Sequence, residues 1–120
     1  MNASGACSAA LNTCYARECN RTRYGAIAYG AQSGAYGWSN DLDDAQAAEK
    51  AAMAHCSAHG DDCQVVVDFW NTCAAVAAYR SIVAYGLGAT RARAEEQAVT
   101  SCTRDAGAPC EVQAWSCTKP

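Results

Sequence analysis

The chain has 120 residues, the length of one domain, with nine Lys and Arg against twelve Asp and Glu and a formal net charge of −3. The bases form no strong cluster, which argues against nucleic acid or an anionic membrane surface as partner, and no run approaches the roughly 18 apolar residues of a membrane span. Hydrophobic residues make up 51 % of the chain, yet only thirteen are Leu, Ile, Val or Phe; nine cysteines offset this thin filling if they form disulfides at about 2 to 4 kcal/mol each, which places the protein in an oxidising compartment, secreted or periplasmic.

Residues 1–23 hold Cys7, Cys14 and Cys19 and form a Cys-rich N-terminal extension. The spacing of Cys7, Leu11, Cys14 and Tyr15 suits a short helix or coil pinned by disulfides. The opening Met1-Asn2-Ala3-Ser4-Gly5 has neither a basic stretch nor an apolar run and is not read as a secretion leader.

Residues 24–120 are expected to be a single α+β domain. Tyr24 to Gly30 and Ala35 to Ser39 read as two strands, joined by a Gly-containing turn of hairpin length. Asn40-Asp41-Leu42-Asp43-Asp44 follows as an acidic start to a helix, where any of several side chains can cap free backbone amides. That helix runs from about Asp44 to Ala58 and gathers Ala45, Ala48, Ala52 and Cys56 on one small-residue face. Cys63 to Trp70, with Val65-Val66-Val67, is the best strand candidate.

The order then repeats. Thr72 to Tyr79 and Ser81 to Gly88 read as strands, Thr90 caps a helix through about Arg104, and Cys110 to Cys117 closes as a strand. Ala35-Tyr36-Gly37-Trp38 is echoed by Ala84-Tyr85-Gly86-Leu87, and Ala48, Ala52 and Cys56 by Ala94, Ala98 and Cys102. The chain thus reads as two tandem strand-strand-helix-strand repeats, about 24–73 and 74–117, forming one pseudo-symmetric, disulfide-stapled sheet with two packed helices.

Equivalent positions imply equivalent bonds. The repeats therefore pair Cys56 with Cys63 and Cys102 with Cys110, and leave Cys73 with Cys117 as a bond tying the two copies together. Two of Cys7, Cys14 and Cys19 pair; the third is left for an intermolecular bond, hence a homodimer, or for a free thiol. A rival zinc reading of His55, Cys56, His59 and Cys63 is weakened by the second copy, which keeps both cysteines and has no histidine. Asp41, Asp43 and Asp44 lack the oxygen spacing and distal Glu of a calcium loop.

No hydrolase elbow, phosphate loop or dinucleotide fingerprint is present. No catalytic residue, metal ligand or cofactor is assigned. Most aromatic residues, Tyr24, Tyr29, Trp70, Tyr79, Tyr85 and Trp115 among them, are expected in the core. Tyr36 and Trp38 alternate on one strand face and are a candidate binding face. Residues 41–68 carry seven acids and one Lys, so Asp41, Asp43 and Asp44 are candidate contacts to a basic partner.

Tyr24 to Gly30, Gly34 to Ser39, the Ala48-Glu49 helix ending in Cys56, Cys63 to Val67 and the echo Cys73 to Ala77 together resemble a family of small secreted bacterial domains of unknown function. The family includes secreted mycobacterial proteins proposed to act as effectors in host cells. The resemblance spans about Tyr24 to Cys117, and the extension before Tyr24 departs from it. It implies export by a cleaved leader and an α+β fold, and supplies no catalytic residues. The expected function is a secreted or periplasmic binding protein acting by protein contact, as an effector or as an inhibitor or immunity protein. The alternatives are a structural envelope protein and, behind it, a small hydrolase or metal-dependent enzyme using His55 or His59.

Overall fold

The computed structural model describes residues 22–118; the expectations for Cys7, Cys14 and Cys19 lie outside them. In chain order the elements are β1 (Tyr24–Tyr29), β2 (Tyr36–Leu42), α1 (Ala45–Ser57), β3 (Gln64–Trp70), β4 (Cys73–Tyr79), β5 (Ile82–Gly88), α2 (Arg91–Ala106) and β6 (Glu111–Cys117). The α+β class and the doubled strand-strand-helix-strand order are as the repeats imply.

Each unit builds its own antiparallel three-stranded sheet, β2-β1-β3 and β5-β4-β6. The two units therefore do not share the one sheet that the repeats suggest. The reason lies at the junction, where only Asn71 and Thr72 separate β3 from β4 and Asn71 adopts a left-handed φ of 51°. Asparagine tolerates that conformation. Its amide N–H donates to Arg23 O while its side-chain oxygen accepts from Arg23 N, closing the first sheet before the chain leaves it.

The sheets pack face to face, with β1 over β4, β2 beside β6 and β3 beside β5. Ile27, Tyr29, Val67 and Phe69 from the first sheet meet Ala74, Val76, Ala78 and Ala114 from the second. Each helix covers an outer face, giving four layers in the order α1, first sheet, second sheet, α2. The central strands β1 and β4 are thus covered on both sides, which explains why they read as small-residue runs with no polar alternation.

Alanine on the outward face of these strands lets a helix approach closely. Ala26 and Ala28 meet Ala48, Ala52 and Cys56 of α1, and Ala75 and Ala77 meet Ala94, Ala98 and Cys102 of α2. Asp44 caps α1 by accepting from Ala47 N at 2.7 Å, and Thr90 caps α2 by accepting from Arg93 N at 3.2 Å. α2 ends at Gly107, whose φ of 68° forms the left-handed cap common at helix ends.

Cys56–Cys63 and Cys102–Cys110 bond the end of each helix to the strand that follows, and Cys73–Cys117 completes the set among the described residues. The pairs are those that repeat symmetry points to, but the third has a different role. Cys73 opens β4 and sits directly opposite Cys117 of β6, so the bond closes the second sheet on itself and does not tie the units together. The matching register position in the first sheet is Tyr24 opposite Trp70, whose rings lie 6.3 Å apart.

The aromatic expectation is corrected. Tyr29 is buried, but Tyr36, Trp38, Trp70, Tyr85 and Trp115 are each at least 40 % exposed. Phe69, Ile27, Val67 and Val76 already fill the space between the sheets, and the exposed aromatics stand on edge strands, where no further layer of the described residues covers them.

Candidate functional site

Edge strand β2 is keyed closely to its helix. A Cβ on Gly37 would lie 2.3 Å from Cys56 N and 2.4 Å from Ala52 O, so the α1 backbone rests directly on this glycine. Two residues on, Ser39 Oγ accepts from Ala26 N at 3.1 Å and donates to Ala48 O at 2.7 Å. Alternation along the strand then sends Tyr36, Trp38 and Asn40 to the sheet face opposite Gly37 and Ser39, at the open edge of the sheet.

Tyr36 and Trp38 stack with ring centroids 6.0 Å apart and planes 21° apart, and are 42 % and 40 % exposed. They divide two grooves. One, of about 460 Å³, runs between them and β6, where Asn40, Gln113 and Trp115 are among its lining residues. The other, of about 370 Å³, lies on the α1 side and is lined by Ser33, Tyr36, Trp38, His55 and His59. Trp115, on the far wall of the first groove, carries the Arg91 guanidinium 4.2 Å from its ring centroid, and Arg91 Nε pairs with Glu95 at 2.8 Å.

His55 holds the strand from the other side. Its Nδ1 accepts from Trp38 N at 3.3 Å, its ring centroid is 4.4 Å from that of Trp38, and the His59 ring is 6.2 Å away. The second unit repeats the device with a different side chain, since Gln97 Oε1 accepts from Leu87 N at 2.6 Å. The sequence offers His55 only to the zinc and hydrolase alternatives; its partnership with Trp38 is fixed by how α1 lies on β2, which no local pattern reports. Gln113 and Trp115, the latter expected in the core, line the same groove as Trp38 from the other sheet, a placement that sequence likewise does not report.

The structure brings Tyr36 and Trp38 together and places the three aspartates at the other end of β2. Asn40, Asp41 and Leu42 belong to the strand, with Leu42 opposite Tyr24, and so do not begin the helix as expected. The strand continues past Ser39 because the ladder is irregular between Tyr24 and Ala26, and Asp41 takes a left-handed φ of 56°. Asp44 is the helix cap, so its carboxylate is already engaged.

A different carboxylate organises the loop that precedes β2. Asp62 accepts from Gln32 N, Ser33 N and the Ser33 hydroxyl. These bonds, the Ser33 hydroxyl first, lower its pKa from 3.8 to about 2. A folded-state value below the unfolded one means the loop contacts are fully present above about pH 4 and are lost as pH falls through about 2. The Gln32 and Ser33 amide resonances should titrate together near that lower value, and in Asp62→Asn that acid transition should vanish. Persistence of the transition in the variant would assign it elsewhere.

Among the described residues, no group of three or more His, Cys, Asp or Glu side chains is placed to hold a metal ion, and no helix is long and apolar enough to cross a membrane. Cys56 and Cys63, the sulfur half of the zinc alternative, are bonded to each other. A profile of the family described as a domain of unknown function (DUF4189) matches residues 24–117. No curated protein and no solved structure matches the chain.

Proposed function

We propose that this chain, which belongs to the DUF4189 family of domains of unknown function, is an exported protein-binding module that docks a partner on the Tyr36–Trp38 edge. The observation that carries this reading is the pair of stacked, exposed rings facing Trp115 across a groove, held on a strand that α1 cannot release without losing its seat on Gly37. Tryptophan and tyrosine are among the side chains that most often dominate binding energy at interfaces. Here they stand on a scaffold stapled by three disulfides among the described residues. A rigid surface loses little conformational entropy on association.

The disulfides support an oxidising compartment, secreted or periplasmic. The acidic end of β2 supports a partner with a basic rim, attracted at long range. Effector and inhibitor or immunity roles both operate by such contact. No observation favours the envelope or hydrolase readings.

The test uses the oxidised protein and its Tyr36→Ala/Trp38→Ala variant, compared in capture from exported protein fractions followed by calorimetry on each captured partner. The variant should keep its circular dichroism and lose about 2 to 4 kcal/mol of binding, the range of interface hot spots. Asp41→Asn/Asp43→Asn, with the Asp44 cap kept, should slow association at low salt more than it speeds dissociation. Partners that bind both proteins equally, or none that binds the wild type, would end the proposal.

A further inference from the structure

The two units latch their edge strands at equivalent backbone amides, from helix positions one turn apart and with different chemistry. In each, a helix side chain accepts the outward N–H of the residue that follows the seating glycine: His55 Nδ1 for Trp38 N after Gly37, Gln97 Oε1 for Leu87 N after Gly86. An amide oxygen accepts at any ordinary pH. An imidazole nitrogen accepts only while it is unprotonated, and imidazole is the side chain that changes charge between about pH 5 and 8.

We infer that His55 is a pH-sensitive latch on β2, so that the contact edge at Tyr36 and Trp38 changes state on mild acidification while the second unit does not. The inference rests on the binding reading above for its consequence, but the latch itself is a property of the free protein. Protonation at Nδ1 sets an N–H against the Trp38 N–H. Two donors cannot share a bond, so Nδ1 moves off the amide and the backbone N–H of Trp38 is released to solvent.

The ring contact does not cancel this effect. An imidazolium over an indole gains cation–π attraction, and with centroids 4.4 Å apart it can stay over Trp38 while its hydrogen bond breaks. The surroundings favour opening. Among the described residues, the titratable groups lining the groove around His55 are His59 from α1, one helical turn away, and Tyr36 from β2, and no carboxylate lines it to hold the cation in place. Asp62, which braces the neighbouring loop, has its oxygens on Gln32 and Ser33. Release frees a backbone donor beside the two exposed rings, and an unpaired strand N–H is what an incoming extended segment pairs with.

The experiment is amide hydrogen exchange by NMR on the partner-free, oxidised protein between pH 7.5 and 5, with rates divided by the intrinsic rate at each pH. Protection of the Trp38 amide should fall about five- to tenfold over that range, the size of one net hydrogen bond. Leu87 protection should stay flat and serves as the internal control. His55→Gln should hold Trp38 protection constant with pH, as Gln97 does for Leu87, and Gln97→His should give Leu87 the drop. His59→Asn should leave the Trp38 drop in place. Flat Trp38 protection in the wild type, or a drop that survives His55→Gln or disappears with His59→Asn, would overturn the latch. None of these readouts involves a partner, so failure of the docking proposal and failure of the latch are told apart.

Discussion

Valine at Gly37 is expected to destabilise the protein by about 3 kcal/mol or more, the upper part of the range for overpacked cores. The added atoms meet Cys56 N, Ala52 O and Cys56 Cα, which are backbone atoms of α1. No rotamer change relieves such a contact. The helix must lift from the sheet, and it is held there at its end by Cys56–Cys63 and along its length by Ser39 on Ala48 O. Gly86→Val should behave alike, since its Cβ would lie 2.4 Å from both Ala94 O and Ala98 N. Gly34→Asn is the control, because nothing lies within 4 Å of that position and its φ of 77° is one that asparagine tolerates. Denaturant midpoints on the oxidised proteins decide the matter. If Gly37→Val unfolds at the wild-type midpoint, α1 does not rest on β2 as described.

Removing Cys73 and Cys117 together, as the double alanine variant, should cost about 4 kcal/mol, because in the chain-entropy treatment the 44-residue span they close restricts the unfolded chain most. The same treatment gives about 2.5 kcal/mol for each short bridge, whose separations are 7 and 8 residues. Cys56 and Cys102 are fully buried, so their loss adds about 1 kcal/mol of apolar burial and leaves the order unchanged. The location of the damage is also predicted. Amide protection should fall first along β4 and β6, whose ladder this bond ends, while the first sheet keeps its Tyr24–Trp70 closure. A variant that loosens both sheets equally, or that is no less stable than Cys56→Ala/Cys63→Ala, would contradict the assignment of this bond to one sheet.

Both results trace to the scarcity of bulky aliphatics. With alanine on the outward faces of β1 and β4, helix and sheet approach until backbone meets backbone, and side-chain volume is reserved for the space between the sheets. Close approach puts the helix within reach of the edge strand, which is why His55 and Gln97 touch backbone amides of β2 and β5. The exposed rings are a by-product of the same scheme. A core of alanines with a few larger residues has no room for Trp38, Trp70 or Trp115.

What could be read from the residues alone was local or repeated. Helical spacing of Ala48, Ala52 and Cys56 marks the face that α1 buries, and its recurrence at Ala94, Ala98 and Cys102 marks the face of α2. The placement of cysteines at matching points of two copies singles out all three bonds among the described residues, because equal local geometry leaves equal partners in reach. Tyr36 and Trp38 were legible as a shared face because strand alternation is a two-residue rule. The division into two sheets, the confinement of Cys73–Cys117 to the second, the exposure of the aromatics and the meeting of His55 with Trp38 were settled only by tertiary structure. Each depends on which strand lies over which helix or opposing sheet. That arrangement is a competition among non-local packings for a small amount of apolar volume, and a turn of two residues at Asn71 and Thr72 tips it.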